Sequence, residues 1–501
     1  MKGLNQIKNT NKQIFNWNVC LLLLALLIFA LNQLPYLVDV RPVNEDESWY
    51  ANAAYNLLNN GELQNTIVGN GGNANFVMPL LMSIFISIFG PTLLAIRMTS
   101  VFCGFVTIIL LHFIMNELKC STKIRILGYA LFLSIAIFNI TYRYGRPECA
   151  SVMFSVLGIY YYIRYYYVKS WGNMMGICMA TYFATCSHPY ALLIFAIIGV
   201  ILLIEAIQLR TREDGVKLLL FLLTGILAIL SLALANTLVQ DISLQEGTEV
   251  LQKRTSMSKL GIGIWLYIKY TFLSKHIFYS IPAVFVLFFG LFCKDNRLVR
   301  KLSMIGCMYV IIFPLLFSSD FAMLTNSIKY FGIIAIIVML AYRDVQDELQ
   351  NNILRKCYWI GIGGFLIFNY AIITTFNYKK YERTNSILQK ELSLIVPSKA
   401  AVYGVMDMYP FVMQSSYIST HYRLSFPSIE FDYIITNSKQ EEKYLDLLPK
   451  YKDMLDIAEN KYKLIYKKQT DQYGLIRVFQ KNDYEHPIQK PHLTGNWSGR
   501  R

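Results

Sequence analysis

The stretch VCLLLLALLIFALNQLPYLV, Val19–Val38, is followed after five residues by NEDESWYANAAYNLLNNGEL, Asn44–Leu63. The first carries no charge over 20 residues, the length of helix that crosses a hydrocarbon core of ~30 Å. It is too long for a removed leader and lacks a small-residue cleavage site, so it reads as a retained span. The second sets Glu45, Asp46, Glu47 and Glu62 among apolar and amide residues just where the chain leaves the bilayer. Its Trp49, Ala53 and Leu57 recur at helical spacing, as do Tyr50, Ala54 and Leu58. That pattern predicts a helix lying along the membrane surface.

Uncharged windows return at Val101–Met115, Leu127–Ile140, Leu218–Leu234 and Ile281–Phe292, in a chain 55% hydrophobic and 16% charged. Such a composition excludes an ordinary soluble protein. The expected fold is a polytopic α-helical membrane protein of eleven spans, near 18–38, 92–116, 124–142, 147–167, 172–187, 189–208, 216–238, 277–293, 301–317, 328–342 and 357–376. Two of these come from one hydrophobic region split at Ser187–His188–Pro189. With Lys2, Lys8 and Lys12 inside, the inner loops hold Lys119, Lys123 and Arg125, then Arg164 and Lys169, then Arg210, Arg212 and Lys217. Lys294, Arg297, Arg300 and Lys301 follow, and finally Arg343, Arg355 and Lys356. Every turn obeys the positive-inside rule. The net charge of +15 is thus spread along loops rather than gathered on one soluble face, and no nucleic-acid partner is expected. The nine cysteines lie in or beside hydrophobic segments with no C-x-x-C pair. They indicate neither a disulfide framework nor a zinc site and read as small buried apolar residues.

Three sizeable segments then lie outside. Asp39–Pro91 holds the surface helix above and a second apolar helix at Met78–Phe89. Val239–Lys275 carries Lys253, Arg254, Lys259, Lys269 and Lys275. From Asn377, AAVYGV, FDYIITN, YKLIYKK and YGLIRVFQ read as short strands, with a helical stretch around Glu441–Glu459. The domain boundaries follow: a transmembrane domain over 1–376 with its first outer loop at 39–91, a small extracytoplasmic α/β domain over 377–485, and an unstructured tail over 486–501.

Asn44 with Glu47 three residues on fits a capping box, and acids favour the positive end of a helix. That leaves Asp46 less explained. A carboxylate at the lipid–water boundary is partly desolvated, which raises its basicity, and a group so placed can take a proton from an attacking hydroxyl.

The run DESWYANAAYNLLNNGEL, from Asp46, resembles the first outer loop of membrane glycosyltransferases of the GT-C type. The likeness is to lipid A aminoarabinose transferases, protein O-mannosyltransferases and the wider glycosyltransferase family 39-like superfamily. It continues through MPLLMSIFISIFGPTLLAIRMTSVFCGFVTIILLHFI (Met78–Ile114) and YRYGRPECASVMFSVLGIYYY (Tyr142–Tyr162), with SHPYALLI and SIKYFGIIAI at similar places. It covers roughly the first 340 residues. The resemblance implies a GT-C fold and a sugar donor carried on a polyprenyl phosphate at the outer face of the cytoplasmic membrane. A lipid, glycan or protein would accept the sugar, in cell-envelope or lipopolysaccharide glycosylation. The family's Asp-Glu pair falls on Asp46 and Glu47, with Asp46 the implied general base of an inverting displacement.

Where the aminoarabinose transferases have an arginine three residues after the aspartate, this chain has Trp49. Where they have a lysine ahead of the proline-led helix, it has Val77 or Met78. Replacement cations for a departing phosphate are Arg143, Arg146 and Lys329, or a member of the basic loop Val239–Lys275. Arg146 and Lys329 read equally as side chains that snorkel to headgroups. Glu148, the remaining catalytic candidate, is either a second site carboxylate or an N-terminal charge on its span after Pro147. Trp49, Tyr50 and His188 are the substrate-binding candidates, and His188 has a plain alternative as a hydrogen-bonded turn residue. Tyr160–Tyr162 and Tyr165–Tyr167 read as an interfacial aromatic belt. A divalent metal among Asp46, Glu148 and His188 is compatible with the residue types, but no spacing demands one.

The leading expectation is therefore a multi-pass glycosyltransferase among membrane lipids, N-terminus inside. The alternative is a transporter or flippase of a lipid-linked saccharide, a class marked by repeated halves and midplane ionisable residues. A non-catalytic scaffold presenting the C-terminal domain is a third reading.

Overall fold

The computed structural model describes residues 2–39, 42–67, 71–72, 75–240, 260–274, 277–294, 296–316, 326–341, 367, 371, 384–419, 431–439 and 449–482. The chain forms two compact units. One comprises Met1–Tyr36, Gly72–Leu81 and Arg97–Lys379; the other comprises Leu37–Gly71, Met82–Ile96 and Lys380–Arg501.

In the first unit, helices stand at the places of the first ten expected spans. They run Lys2–Gln33, Leu93–Glu117, Thr122–Ser134 with Ala136–Thr141, Pro147–Tyr167, Trp171–Ser187, Ala191–Leu209, Arg212–Gln240, Ile277–Leu291, Arg297–Leu316 and Ser327–Ala341. The eleventh, at 357–376, lies almost wholly outside the described residues. Among the described residues, four helices are long and apolar enough to cross a membrane: Leu93–Glu117, Ala191–Leu209, Arg212–Ala235 and Arg297–Leu316. A fifth is added if Gly261–Phe272 and Ile277–Leu291, bent by 103° at a short break, are taken as one span. The helix Leu260–Phe272 falls within the expected basic loop, where no helix was anticipated; 241–259 lies outside the described residues.

Two helix breaks have local causes. Between Thr122–Ser134 and Ala136–Thr141, the Asn139 amide donates to the carbonyls of Leu133 at 2.6 Å and Ile135 at 3.2 Å. Its oxygen accepts from Gln33 at 2.8 Å. An inserted side chain of this kind satisfies main-chain groups that a break in the ladder exposes. The second break is the expected one at His188. Its backbone is extended (φ −159, ψ 128), as the residue before a proline must be to avoid the ring. Helices Pro147–Tyr167 and Trp171–Ser187 pack closely because Gly176 has no side chain: a Cβ there would come within 2.4 Å of the Tyr161 ring.

The second unit is built on a five-stranded mixed sheet, in the order Ser416–Ser419, Ala401–Gly404, Tyr433–Asn437, Gly474–Lys481, Tyr462–Thr470. The first three strands are parallel and the last two join as an antiparallel hairpin. The central strand Tyr433–Asn437 is buried along its whole length, as the YIITN sequence requires. Four of the strands lie where the sequence places them. The helix expected around Glu441–Glu459 is found at Pro449–Lys461, with 440–448 outside the described residues. The strand Ser416–Ser419, the helix Thr384–Ile395 and the 3-10 helix Met406–Phe411 were not anticipated. Short polar-ended elements of this kind are fixed by what they pack on, not by their own periodicity. The unstructured tail expected over 486–501 lies outside the described residues.

The segment 37–71 belongs to this sheet unit rather than to the bundle. Three residues from the sequence's far end hold it. Asn385 donates to the Val38 carbonyl at 2.7 Å and accepts from the Tyr473 hydroxyl at 2.8 Å, while that hydroxyl accepts from the Val43 N–H at 2.8 Å. Both Asp39 oxygens are taken by Ser386, one by its N–H at 2.8 Å and one by its hydroxyl at 2.6 Å. Asn385 has no exposed surface, and removing one partner from a buried network costs about 1–3 kcal/mol. Asn385→Ala should therefore lower the thermal unfolding midpoint and open residues 37–44 to limited proteolysis. Unchanged melting and cleavage would show that the network contributes nothing to this unit.

Candidate functional site

The Asp46 turn and the cation candidates lie in different units, and each has its own logic. Helix Glu45–Asn60 starts on a complete capping box. The Asn44 side chain accepts from the Asp46 N–H at 2.9 Å, and Glu47 Oε2 accepts from the Asn44 N–H at 2.9 Å. The helix ends at Gly61, whose φ of +72 favours a residue without a Cβ. Glu47 is fully buried in its capping role, whereas Asp46 is half-buried. The capping chemistry thus employs Asn44 and Glu47 and makes no call on the Asp46 carboxylate.

One turn further, Asn52 anchors the helix. Its Nδ2 donates to the Tyr409 hydroxyl at 3.1 Å and its Oδ1 accepts from the Thr66 N–H at 2.8 Å. Burial pushes the Tyr409 phenol above its usual pKa, so this contact stays uncharged at neutral pH. Trp49 and Tyr50 are half-buried, and the Trp49 carbonyl accepts from Asn65 at 2.8 Å.

In the bundle unit, Arg146, Glu148, Lys329 and His188 come together. Pro147 at the first helical position fixes where helix Pro147–Tyr167 begins, which sets Glu148 in the first turn with Arg146 as its cap. The Arg146 guanidinium grips Glu148 side-on, Nη2 at 2.9 Å from Oε1 and Nε at 3.2 Å from Oε2. Lys329 Nζ stands 3.5 Å from the same Oε1. Glu148 has no exposed surface, Lys329 is almost as buried, and Arg146 keeps 22% of its side chain exposed. Two cations against one carboxylate leave the trio at +1, in a place where charge is costly unless paired.

Around the trio, buried His188 interacts electrostatically with Glu148. Its ring meets Tyr190 edge-on with centroids 4.2 Å apart, and Tyr190 packs likewise on Phe313 at 5.0 Å. The Tyr330 hydroxyl donates to Ser151 at 2.9 Å, and Ser151 donates to the Ala184 carbonyl at 3.1 Å. Tyr330 follows Lys329 in sequence and Ser151 lies a turn beyond Glu148. That bond therefore sets the register in which Lys329 meets Glu148.

The Arg143 guanidinium donates to the Asn32 carbonyl near the end of helix Lys2–Gln33. Val77 and Met78, where a family lysine would stand, are buried, and Val77 packs with Cys186 and Ala228. Tyr330 and Ser151 were not singled out in the sequence, and the fully buried Arg97, which lies over the Tyr144 ring at 5.6 Å, entered only as the arginine that opens the second span. Arg97 had a signal, a lone cation one turn inside an apolar helix. Tyr330 and Ser151 had none. Among the described residues no three His, Cys, Asp or Glu side chains gather as a metal site requires. The basic loop at 241–259 lies outside the described residues.

The fold was compared with solved structures. The crystal structure of ArnT from Cupriavidus metallidurans bound to undecaprenyl phosphate matches over 92% of this chain and 98% of that one, with a TM-score of 0.56 and 9% identity. The chain has the GT-C fold of ArnT. The apo state of ArnT matches over 93% and 98%, with a TM-score of 0.52 and 10% identity. No protein-family model matches the chain, and no curated protein matches it by sequence. The likeness to ArnT is one of fold, together with a multi-pass helical bundle and a small C-terminal sheet.

The trio predicts a coupling. Lys329→Met leaves Glu148 short of a partner and should destabilise the protein by about 3–5 kcal/mol. Lys329→Met with Glu148→Gln should cost markedly less than the sum of the two single changes. Thermal unfolding of the four variants in detergent gives the cycle; strict additivity would mean the two groups do not interact.

Proposed function

We propose that the chain is an integral-membrane glycosyltransferase that moves a sugar from a polyprenyl-phosphate donor to a lipid, glycan or protein acceptor. The observation that carries this reading is the buried trio with an excess positive charge, in a fold shared with a protein that binds undecaprenyl phosphate. Arg146 and Lys329 are the groups suited to the departing phosphate, since cations aimed at growing negative charge stabilise the transition state most where water is excluded. Arg143 is a weaker candidate because its guanidinium already serves a main-chain carbonyl.

Asp46 is the proposed general base. It takes the proton of the acceptor hydroxyl as that oxygen attacks the anomeric carbon, and the phosphate leaves from the opposite face with inversion. Support comes from the division of labour at the helix start, where Glu47 and Asn44 complete the cap. Glu47 supports Asp46 through the cap, and Trp49, Tyr50 and His188 are the proposed substrate contacts. The eleven-span topology, with the N-terminus inside and the sheet unit on the outer face of the cytoplasmic membrane, rests on the basic loops. The division into a transmembrane domain over 1–376, an α/β domain over 377–485 and a tail over 486–501 stands as part of this reading, beside a contact unit that groups 37–71 and 82–96 with the C-terminal residues.

A positioned base contributes about 10²–10⁴-fold. Reconstituted with undecaprenyl-phosphate sugars and candidate acceptors, Asp46→Asn should lower transfer by that factor with little change in donor binding. Equal product from both proteins, measured by mass spectrometry, removes Asp46 from the mechanism. Movement of the lipid across the vesicle without a new glycosidic bond would replace the enzyme reading by a flippase.

A further inference from the structure

Arg146 and Lys329 are already engaged. The side-on fork of Arg146 on Glu148, at 2.9 and 3.2 Å, is the geometry in which a guanidinium takes either a carboxylate or a phosphate. Lys329 adds a point charge at 3.5 Å on the shared oxygen. The carboxylate sits in the first turn of helix Pro147–Tyr167, an end that favours anions. It has no exposed surface, so no water competes for these bonds. A phosphate cannot take the same fork while Glu148 fills it, and with Glu148 removed the cluster rises from +1 to +2.

We propose that Glu148 is an internal counter-ion that holds Arg146 and Lys329 in the empty protein and yields them to the phosphate of the lipid donor. This rests on the donor reading above and adds a role that reading does not contain. Glu148 is a positioning residue, acting through the two cations. A site spared the cost of unpaired buried charge when empty stays folded. The same occupant lowers apparent affinity for the phosphate in proportion to the time it holds the cations. It also returns to them when the spent lipid phosphate leaves, and so drives release.

The consequences separate binding from turnover. Glu148→Gln should bind undecaprenyl phosphate about tenfold more tightly, as expected if the counter-ion holds the cations about nine-tenths of the time. In transfer assays it should lower KM and also kcat, because product release becomes slow. Glu148→Asp should lie between. The measurement uses the full chain in nanodiscs with three probes: undecaprenyl phosphate, inorganic phosphate and uncharged undecaprenol. Tight binding of the first alone places the determinant on a lipid-borne phosphate, and equal gains for inorganic phosphate mark a general anion seat, which overturns the lipid-specific form. Weaker or equal binding of undecaprenyl phosphate by Glu148→Gln overturns the counter-ion role and leaves the donor reading standing. No preference of the wild type for the phosphate over undecaprenol sinks both. Should the variant fail to fold, the wild-type structure with undecaprenyl phosphate decides. Arg146 and Lys329 should then contact the phosphate with Glu148 beyond 4 Å from either, and an intact fork on Glu148 rejects the proposal.

Discussion

A carboxylate with no exposed surface, held by a guanidinium and an ammonium, is the constraint around which the bundle unit is arranged. Each of these ions would cost several kcal/mol to bury alone, so the three must arrive together. Pro147 fixes the helix start that presents Glu148, and the Tyr330–Ser151 bond fixes the helix that presents Lys329. Packing supplies the same precision elsewhere, as where Gly176 admits the Tyr161 ring. Such a cluster is poor value as a stabiliser, since an apolar trio of the same volume would serve as well or better. Its presence despite that cost is what makes it a candidate for chemistry.

The segment holding Asp46 is organised on different terms. The helix Glu45–Asn60 buries only small apolar side chains, Ala51, Ala53 and Ala54, and is fixed besides by a capping box, a glycine stop and the Asn52–Tyr409 bond. The two carboxylates thus sit in different surroundings, Asp46 half-buried at a capped helix start and Glu148 fully buried between two cations.

Much of the bundle was legible because the periodicity of spans and the charges in loops are local signals. The helix over Glu45–Asn60 was legible for the same reason, as were its cap and the strands AAVYGV, FDYIITN, YKLIYKK and YGLIRVFQ. The helix Leu260–Phe272 was missed because a glycine-studded stretch among basic residues reads as a loop. What the sequence could not carry was pairing at a distance. Lys329 and Glu148 are 181 residues apart, and nothing about either says which acid or base the other will find. The same holds for Asn385 and Val38, separated by 347 residues, so the loop was assigned to the membrane domain on proximity in sequence alone. The ArnT-like fold was suggested by local motifs from Asp46 onward, and the missing family cations at Trp49 and Val77 pointed to Arg146 and Lys329 as replacements without showing that Glu148 pairs with both.

The tie between Val38 and Asn385 sets an order of assembly. Residues 37–71 are synthesised early, yet the partners that complete their hydrogen bonds, Asn385, Tyr409 and Tyr473, are among the last hundred or so to be made. At about 5–20 residues per second, the segment waits roughly 20–70 s with an open carbonyl at Val38 and an unfilled acid at Asp39. Closure of so long a loop is slow in any chain. The capping box at Asn44 needs none of these late arrivals, so a nascent helix bearing Asp46 can stand at its post while the sheet that steadies it is still on the ribosome. A chain cut short before Thr384 would carry Asp46 in a segment that lacks its partners Asn385, Tyr409 and Tyr473.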